Sequence, residues 1–329
     1  MKLDTIDKNL LNIIQAEFPL SREPFAALGL HLSIDSEEVI RRIKQLKTGE
    51  IIRYIGPVFN PGKLGYRTTL AAMKVDAERL DEAGRIIGTH PMVSHCYERD
   101  HDFNLWFTLA MPIAGDTESE VHNLGKKVRA KTTLNLPAVK TFKIGAYFNL
   151  GDHNTSAPSM VTNHNMPQYK TIELSPIDRS VISESQQDLP LIEKPFDQIS
   201  ARAGIDADKF LSHCQALLQR GVMRRFSASV SHNKLGFTAN AMACWIATSD
   251  MVDAAGKKIA TFSEVSHCYE RRTNSIWHHN LFAMIHADCK ETCRAIADKI
   301  CSVTGLDKKE LILLFSTKEV KKTRLRYTV

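Results

Sequence analysis

The chain has 329 residues, 43% of them apolar and 24% charged, with seven cysteines and a formal charge of +6. That length suits roughly two to four domains, and the proportions are those of an ordinary globular protein rather than a disordered, fibrous or disulfide-stapled one. No apolar run reaches membrane-spanning length and no signal-peptide core opens the chain, so a cytoplasmic protein without membrane contact is expected; the positive balance favours anionic partners.

In chain order, Ile6, Leu10, Ile13 and Ile14 keep helical spacing behind a cap candidate, Asp4. A short helix follows over 23–30. Asp35-Ser36-Glu37-Glu38 reads as a capping box that opens a helix striped by Val39, Ile43 and Leu46, and Gly49 ends it. A strand over 51–55, stopped by Gly56-Pro57, completes three helices and a short wing, a winged helix-turn-helix. Beyond it the pattern predicts a strand over 66–75, a helix over 78–88, strands over 92–99 and 104–110, a helix over 118–132 and a closing strand over 138–148. That order, βαββαβ, is the ferredoxin-like split fold.

The plan is then repeated. Ile6-Asp7-Lys8 matches Ile177-Asp178-Arg179, and Lys63-Leu64-Gly65-Tyr66 matches Lys234-Leu235-Gly236-Phe237, at one offset (178 − 7 = 171). Helices are expected over 178–187, 192–203 and 206–219, and strands over 237–247, 265–271, 280–286 and 318–327. The chain is thus an α+β tandem repeat: winged helix-turn-helix over 1–62, ferredoxin-like domain over 63–150, linker over 151–175, and the same pair over 176–233 and 234–329. The two halves are expected to pack as an intrachain pseudo-dimer, with further homo-oligomerisation left open.

The cysteines form no CxxC pair; Cys289 and Cys293, at i,i+4 on an expected helix, read as packed thiols, and no metal site of the protein's own is expected. One heptapeptide carries the chemistry. Val93-Ser94-His95-Cys96-Tyr97-Glu98-Arg99 recurs letter for letter as Val265-Ser266-His267-Cys268-Tyr269-Glu270-Arg271. On a strand, His95, Tyr97 and Arg99 share one face, as do His267, Tyr269 and Arg271. A proton carrier, a phenol and a guanidinium on one sheet face can seat a flat anionic ligand. The hairpin turns add His101, and Trp277-His278-His279; Asn104, Trp106, Asn280 and His286 follow them. His31, His90, His122, His153, His164, His213 and His232 have no partner motif.

The domain pair resembles the Lrp/AsnC family, and the His-Cys-Tyr-Glu-Arg, Asn-Leu-Trp and Trp-His-His-Asn-Leu pieces are similar to those of siroheme decarboxylases, over nearly the whole chain. That resemblance implies non-oxidative loss of two acetate carboxyl groups from siroheme, giving 12,18-didecarboxysiroheme. It implies no cofactor, because siroheme is the substrate and its macrocycle delocalises the electron pair. His95, Arg99, His101, His267, Arg271, His278 and His279 become the catalytic candidates; Tyr97, Asn104, Trp106, Tyr269, Asn280 and His286 become substrate contacts. A histidine is also available to ligate the siroheme iron.

A haem-sensing transcriptional regulator is the rival reading. Arg41, Arg42, Lys44, Lys47 and Arg53 of the first half would grip DNA, but residues 208–215 are less basic, so functional DNA binding is not expected. A tetrapyrrole carrier without turnover is the third.

Overall fold

The computed structural model describes residues 2–151, 161–165 and 171–329. In the first half, α1 (Thr5–Ala16), α2 (Pro24–Leu32) and α3 (Ser36–Thr48) precede strand β1 (Ile52–Phe59). The ferredoxin-like unit follows as β2 (Tyr66–Lys74), α4 (Leu80–Thr89), β3 (Val93–Arg99), β4 (Leu105–Pro112), α5 (Thr117–Val128) and β5 (Thr132–Ile144). Within the expected linker, Val161–Asn165 forms β6 on the edge of β5. The second half repeats the order with α6 (Pro176–Ser185), α7 (Pro195–Arg202), α8 (Ala207–Gln219), β7 (Met223–Val230), β8 (Ala239–Trp245), α9 (Val252–Ala260), β9 (Val265–Arg271), β10 (Leu281–Ala287), α10 (Lys290–Thr304) and β11 (Ile312–Lys322).

Local chemistry explains the helix starts. Asp4 and Asp7 form a reciprocal capping box on α1, and Ser175 and Asp178 do the same on α6. At α3 the expected box is only half formed. Asp35 accepts from the Glu38 amide at 2.7 Å, but the Glu38 carboxylate turns to Arg41 and Arg42, whose guanidinium groups outbid a single amide.

The wing is not a wing. β1 runs straight through Gly56-Pro57 and pairs antiparallel with β7, its counterpart in the other half, with Pro57 opposite Phe226. A two-stranded ribbon is all edge, where proline is tolerated. Gly56 leaves room for the Arg324 guanidinium, whose Nη1 would lie 2.5 Å from a Cβ there and would have to swing aside for a larger residue. The ribbon joins the two helical domains over one apolar core, in which Phe18, Phe25, Phe196 and Phe210 close on Phe226.

The ferredoxin-like sheets have the orders β5-β2-β4-β3 and β11-β8-β10-β9, with α4 and α5, or α9 and α10, on their outer faces. The closing strands begin six residues before their expected starts, at 132 and 312 rather than 138 and 318, and end at 144 and 322 rather than 148 and 327; each serves two sheets. Residues 132–137 of β5 pair with β2 and residues 138–144 cross to β9; residues 312–315 of β11 pair with β8 and residues 316–322 cross to β3. Pro137 stands at the first crossing, where the ladder changes partner. These exchanges close eight strands into a barrel.

Phe142, on β5, therefore lies fully buried in the core of the other half. A Cβ at Gly256 of α9 would sit 2.4 Å from its ring. Gly256→Ala is expected to cost about 1–3 kcal/mol by overpacking, lowering the melting temperature by several degrees in a calorimetric scan; an unchanged melting temperature would contradict this packing.

Cys289 is the N-cap residue of α10 rather than part of it, its thiol against Thr292. No cluster of three metal-ligating side chains occurs among the described residues, and no helix among them is long and apolar enough to cross a membrane.

Candidate active site

Alternation along β3 and β9 sends Cys96 and Cys268 outward to the helices and turns His95, Tyr97 and Arg99, with His267, Tyr269 and Arg271, into the barrel. The two rows face the end of the barrel that the β1–β7 ribbon covers. His95, Tyr97, His267 and Tyr269 lie deep in the molecule yet each keeps some accessible surface.

Each motif arginine reaches across to the other half. Arg99 Nη1 donates to the carbonyl of Leu314 at 2.7 Å, and Arg271 Nη1 to that of Leu136 at 2.8 Å. Both acceptors lie on the exchanged strands, so the arginines also hold the crossing. In both, Nε is buried without a hydrogen-bond partner among the described residues. Burial lowers both guanidinium pKa values to about 10, which leaves them charged at neutral pH. Their centres lie 5.5 Å and 4.8 Å from the rings of Tyr97 and Tyr269.

The ribbon and the end of β11 add groups that motif reasoning did not assign to the site. Arg53 Nη2 pairs with Glu319 at 2.9 Å, and Tyr97 Oη donates to the same carboxylate at 3.3 Å. Lys322 Nζ lies 3.1 Å from Nδ1 of His232, a histidine that sequence reasoning had set aside. Arg224 lies beside Tyr269 and Tyr327, and Arg225 donates to Ser227. Arg53 and Arg224 share the 171-residue offset (224 − 53 = 171), a signal that could have flagged them; His232, Glu319 and Lys322 have no such copy.

Electrostatically the region is rich in cations: Arg53 and Lys322 stand against Glu319, and Arg99, Arg224, Arg225 and Arg271 lie beside tyrosines of the two rows and the ribbon. Burial, reinforced by these cations, holds the imidazoles neutral. His95 and His232 fall to about 4, His267 to about 3, and His286 well below its usual range. Burial and Arg53 also lower Lys322 to about 8.

A folded pKa below the unfolded value of about 6.5 means that the unfolded chain binds more protons between those values. The stability these histidines contribute is therefore complete above pH 6.5 and lost as pH falls toward 4. The melting temperature of the unliganded protein should fall steadily through that window, and less steeply in His267→Asn. An equal slope in the variant would contradict the assignment.

The remaining candidates lie elsewhere. His101, His278 and His279 sit at the opposite end, where the two hairpin turns meet around a cleft of about 350 Å³ lined also by Asp102, Phe103, Ile276, Trp277 and Ile312. Strand β3 carries the chain four extended residues from His95 to Arg99, roughly 13 Å, before the turn that holds His101, and Phe103, Trp106, Trp277, Phe282 and Leu314 fill the barrel between the two ends. Sequence adjacency had placed these three histidines with the motif; strand geometry separates them. Asn104 and Asn280, expected against substrate, instead use both ends of their amides on the backbones of Val75 and Ala247. Trp106 is core, its indole N–H donating to the Phe103 carbonyl at 2.6 Å. His286 does join the motif, through Ser266.

The comparisons with known proteins agree with this organisation. A model of the AsnC-like ligand binding domain matches residues 63–143 and 234–321, and a model of the siroheme decarboxylase NirDL-like HTH domain matches residues 7–53 and 178–224. The siroheme decarboxylase of Hydrogenobacter thermophilus is 37% identical over 319 residues, covering 97% of this chain and 93% of that protein. The chain belongs to the siroheme decarboxylase family. The siroheme decarboxylase NirDL subunit of Paracoccus denitrificans is 31% identical over 97% of this chain and 96% of its own length. A crystal structure of the siroheme decarboxylase NirDL with an iron-uroporphyrin III analogue shares 34% identity and superposes with a TM-score of 0.72, covering 99% of this chain and 95% of that one.

Membership in the siroheme decarboxylase family sets the regulator reading aside, and the helix-turn-helix geometry explains why. Arg42 of α3 is tied to Asp4, Asp7 and Glu38, Arg41 to Glu38, Lys47 to Asp188 of the other half and Arg53 to Glu319. Leu191 and Glu193 of the second half line the same cleft as Ile40, Arg41 and Lys44 of α3. Four of the five charges that would grip phosphate are thus paired within the protein, and Ile40, Arg41 and Lys44 of α3 border a cleft shared with the second half.

Proposed function

We propose that the chain removes the carboxyl groups of two acetate side chains of siroheme, yielding 12,18-didecarboxysiroheme, in the space between the β1–β7 ribbon and the barrel. The observation that carries this placement is the paired inward row of histidine, tyrosine and arginine under a cationic roof. A polycarboxylate macrocycle supplies the counter-charge that this end of the barrel lacks; the hairpin-tip cleft offers it Asp102 and no guanidinium.

Arg99 and Arg271, with Arg53 and Arg224 above them, anchor the carboxylates that are retained. An arginine clamped on a carboxylate about to leave would stabilise the ground state, so the reacting acetates are better placed against the tyrosine and histidine positions. His95 and His267 are the proton donors. Neutral in the unliganded protein, they gain protons when the carboxylates arrive, because a nearby anion favours the imidazolium. The macrocycle holds the electron pair released with carbon dioxide until that proton is delivered. Either histidine that does not donate is free to approach the iron. Catalysis in the cytoplasm within one chain, the two halves acting as a pseudo-dimer, completes the reading.

Anaerobic incubation with siroheme, followed by mass spectrometry of the tetrapyrrole, tests it. Successive losses of one and two carbon dioxide units are expected; tight binding with no mass change would leave a carrier.

A further inference from the structure

Every decarboxylation consumes a proton. The bond to the carboxylate carbon breaks, carbon dioxide leaves without the bonding pair, and the pair left on the methylene carbon takes a proton to become methyl. Two acetates therefore require two protons under the ribbon. The inference below rests on the siroheme reading above.

The two motif rows are wired differently. Nδ1 of His267 lies 2.9 Å from Oγ of Ser266, and the same hydroxyl lies 2.9 Å from Nε2 of His286. The His286 ring stands edge to face with that of His232, centroids 5.1 Å apart. Beyond it, Lys322 Nζ lies 3.1 Å from His232 Nδ1. Nδ1 of His286 and Nε2 of His232 are buried with no hydrogen-bond partner among the described residues.

In the first half, His95 Nδ1 meets Ser94 Oγ at 2.9 Å, and among the described residues no second histidine continues the series. Strand register places Ala110 where the second half has His286, and the 171-residue offset places Pro61 where it has His232. On the exchanged strands Ile144 is opposite His267, whereas Lys322 is opposite His95. The fold is built equally well with these apolar residues, so packing alone does not call for the polar set.

We infer that Lys322, His232, His286 and Ser266 form a proton relay that reloads His267, making the two donors of this site non-equivalent. The ammonium of Lys322 donates to Nδ1 of His232. One water or a substrate carboxylate carries the proton from Nε2 of His232 to Nδ1 of His286, and Ser266 passes it to His267. One proton is thereby moved inward; a proton from solvent restores the Lys322 ammonium, and each imidazole, having taken a proton on one nitrogen and given one from the other, returns to its starting tautomer before the next transfer. The charged and titratable groups facing this path are Glu319 and Arg53 from β11 and the ribbon, Arg225 beside His267, Lys143 from β5, and His95 and Arg99 from β3.

His286→Ala and Lys322→Ile, which install the first half's own residues, test the relay in full-length protein under single-turnover conditions with siroheme. In His286→Ala, binding read from the absorption spectrum is expected to stay within about threefold; Lys322→Ile also removes a cation of the lining, so its two losses are compared at saturating siroheme. One of the two carbon dioxide losses should slow roughly tenfold or more, so that singly decarboxylated product accumulates. That slowed step should show an altered pH profile and, in His286→Ala, recover with added imidazole. Unchanged rates for both losses overturn the relay. So does equal slowing of both with no imidazole effect, the signature of a structural role. Failure of the unsubstituted protein to decarboxylate siroheme would instead strike the parent reading, and would be seen before any variant is made.

Discussion

Arg271→Lys is expected to yield a folded protein whose kcat/KM for siroheme drops roughly 10- to 150-fold, the equivalent of about 1.5–3 kcal/mol for hydrogen bonds to a charged group. Lysine keeps the charge but loses the planar fork, and with it the simultaneous reach to the Leu136 carbonyl and to a carboxylate. The guanidinium is buried, 4.8 Å from the Tyr269 ring and 5.6 Å from that of Phe282, so no water-filled alternative offers the ligand equal stabilisation. Arg99→Lys should behave alike, because Arg99 makes the symmetric contact to Leu314. A melting curve separates the two tasks of these residues. Loss of turnover with a small change in melting temperature supports ligand anchoring; a large stability loss with normal kcat/KM in the surviving fold would leave them as staples of the strand exchange.

The second large effect is expected at the donors. His267→Ala should lower kcat by roughly 10²–10⁴, the usual contribution of a positioned general acid, while siroheme affinity changes little. His95→Ala should do the same to the other carbon dioxide loss. Sign matters for the pH dependence. Both imidazoles titrate near 3 to 4 without ligand and rise when carboxylates are seated, so siroheme binding near neutral pH takes up protons. Calorimetric titrations in buffers of different ionisation enthalpy measure that uptake directly. Uptake that persists unchanged in the His95→Ala, His267→Ala double variant would assign the protons to other groups.

The shared face of histidine, tyrosine and arginine in each heptapeptide was legible because period-two alternation decides which side chains point together, whatever the strand pairs with. Partner choice is a different matter. Nothing local in residues 132–144 or 312–322 says that a strand begins in one sheet and ends in another, so the barrel and the arginine contacts across it had to come from the structure. The same limit hides that His101, His278 and His279 stand at the opposite end of the barrel from the heptapeptide rows: adjacency in sequence along a hairpin is distance in space. Glu319 and Lys322 escape notice, and His232 is set aside, for the opposite reason, being single-copy residues in a chain read through its repeats. Arg53 was noticed and given to DNA, because in a helix-turn-helix taken alone a basic residue after the recognition helix faces outward, and only the ribbon pairing turns it toward Glu319.

The most direct test of where the chemistry happens compares two variants in the anaerobic siroheme assay. With His101, His278 and His279 all replaced by alanine, both carbon dioxide losses should continue within about threefold of the unsubstituted rate. With His95 and His267 replaced, both should stop while siroheme still binds. The reverse pattern would contradict the account and move the reaction to the hairpin tip.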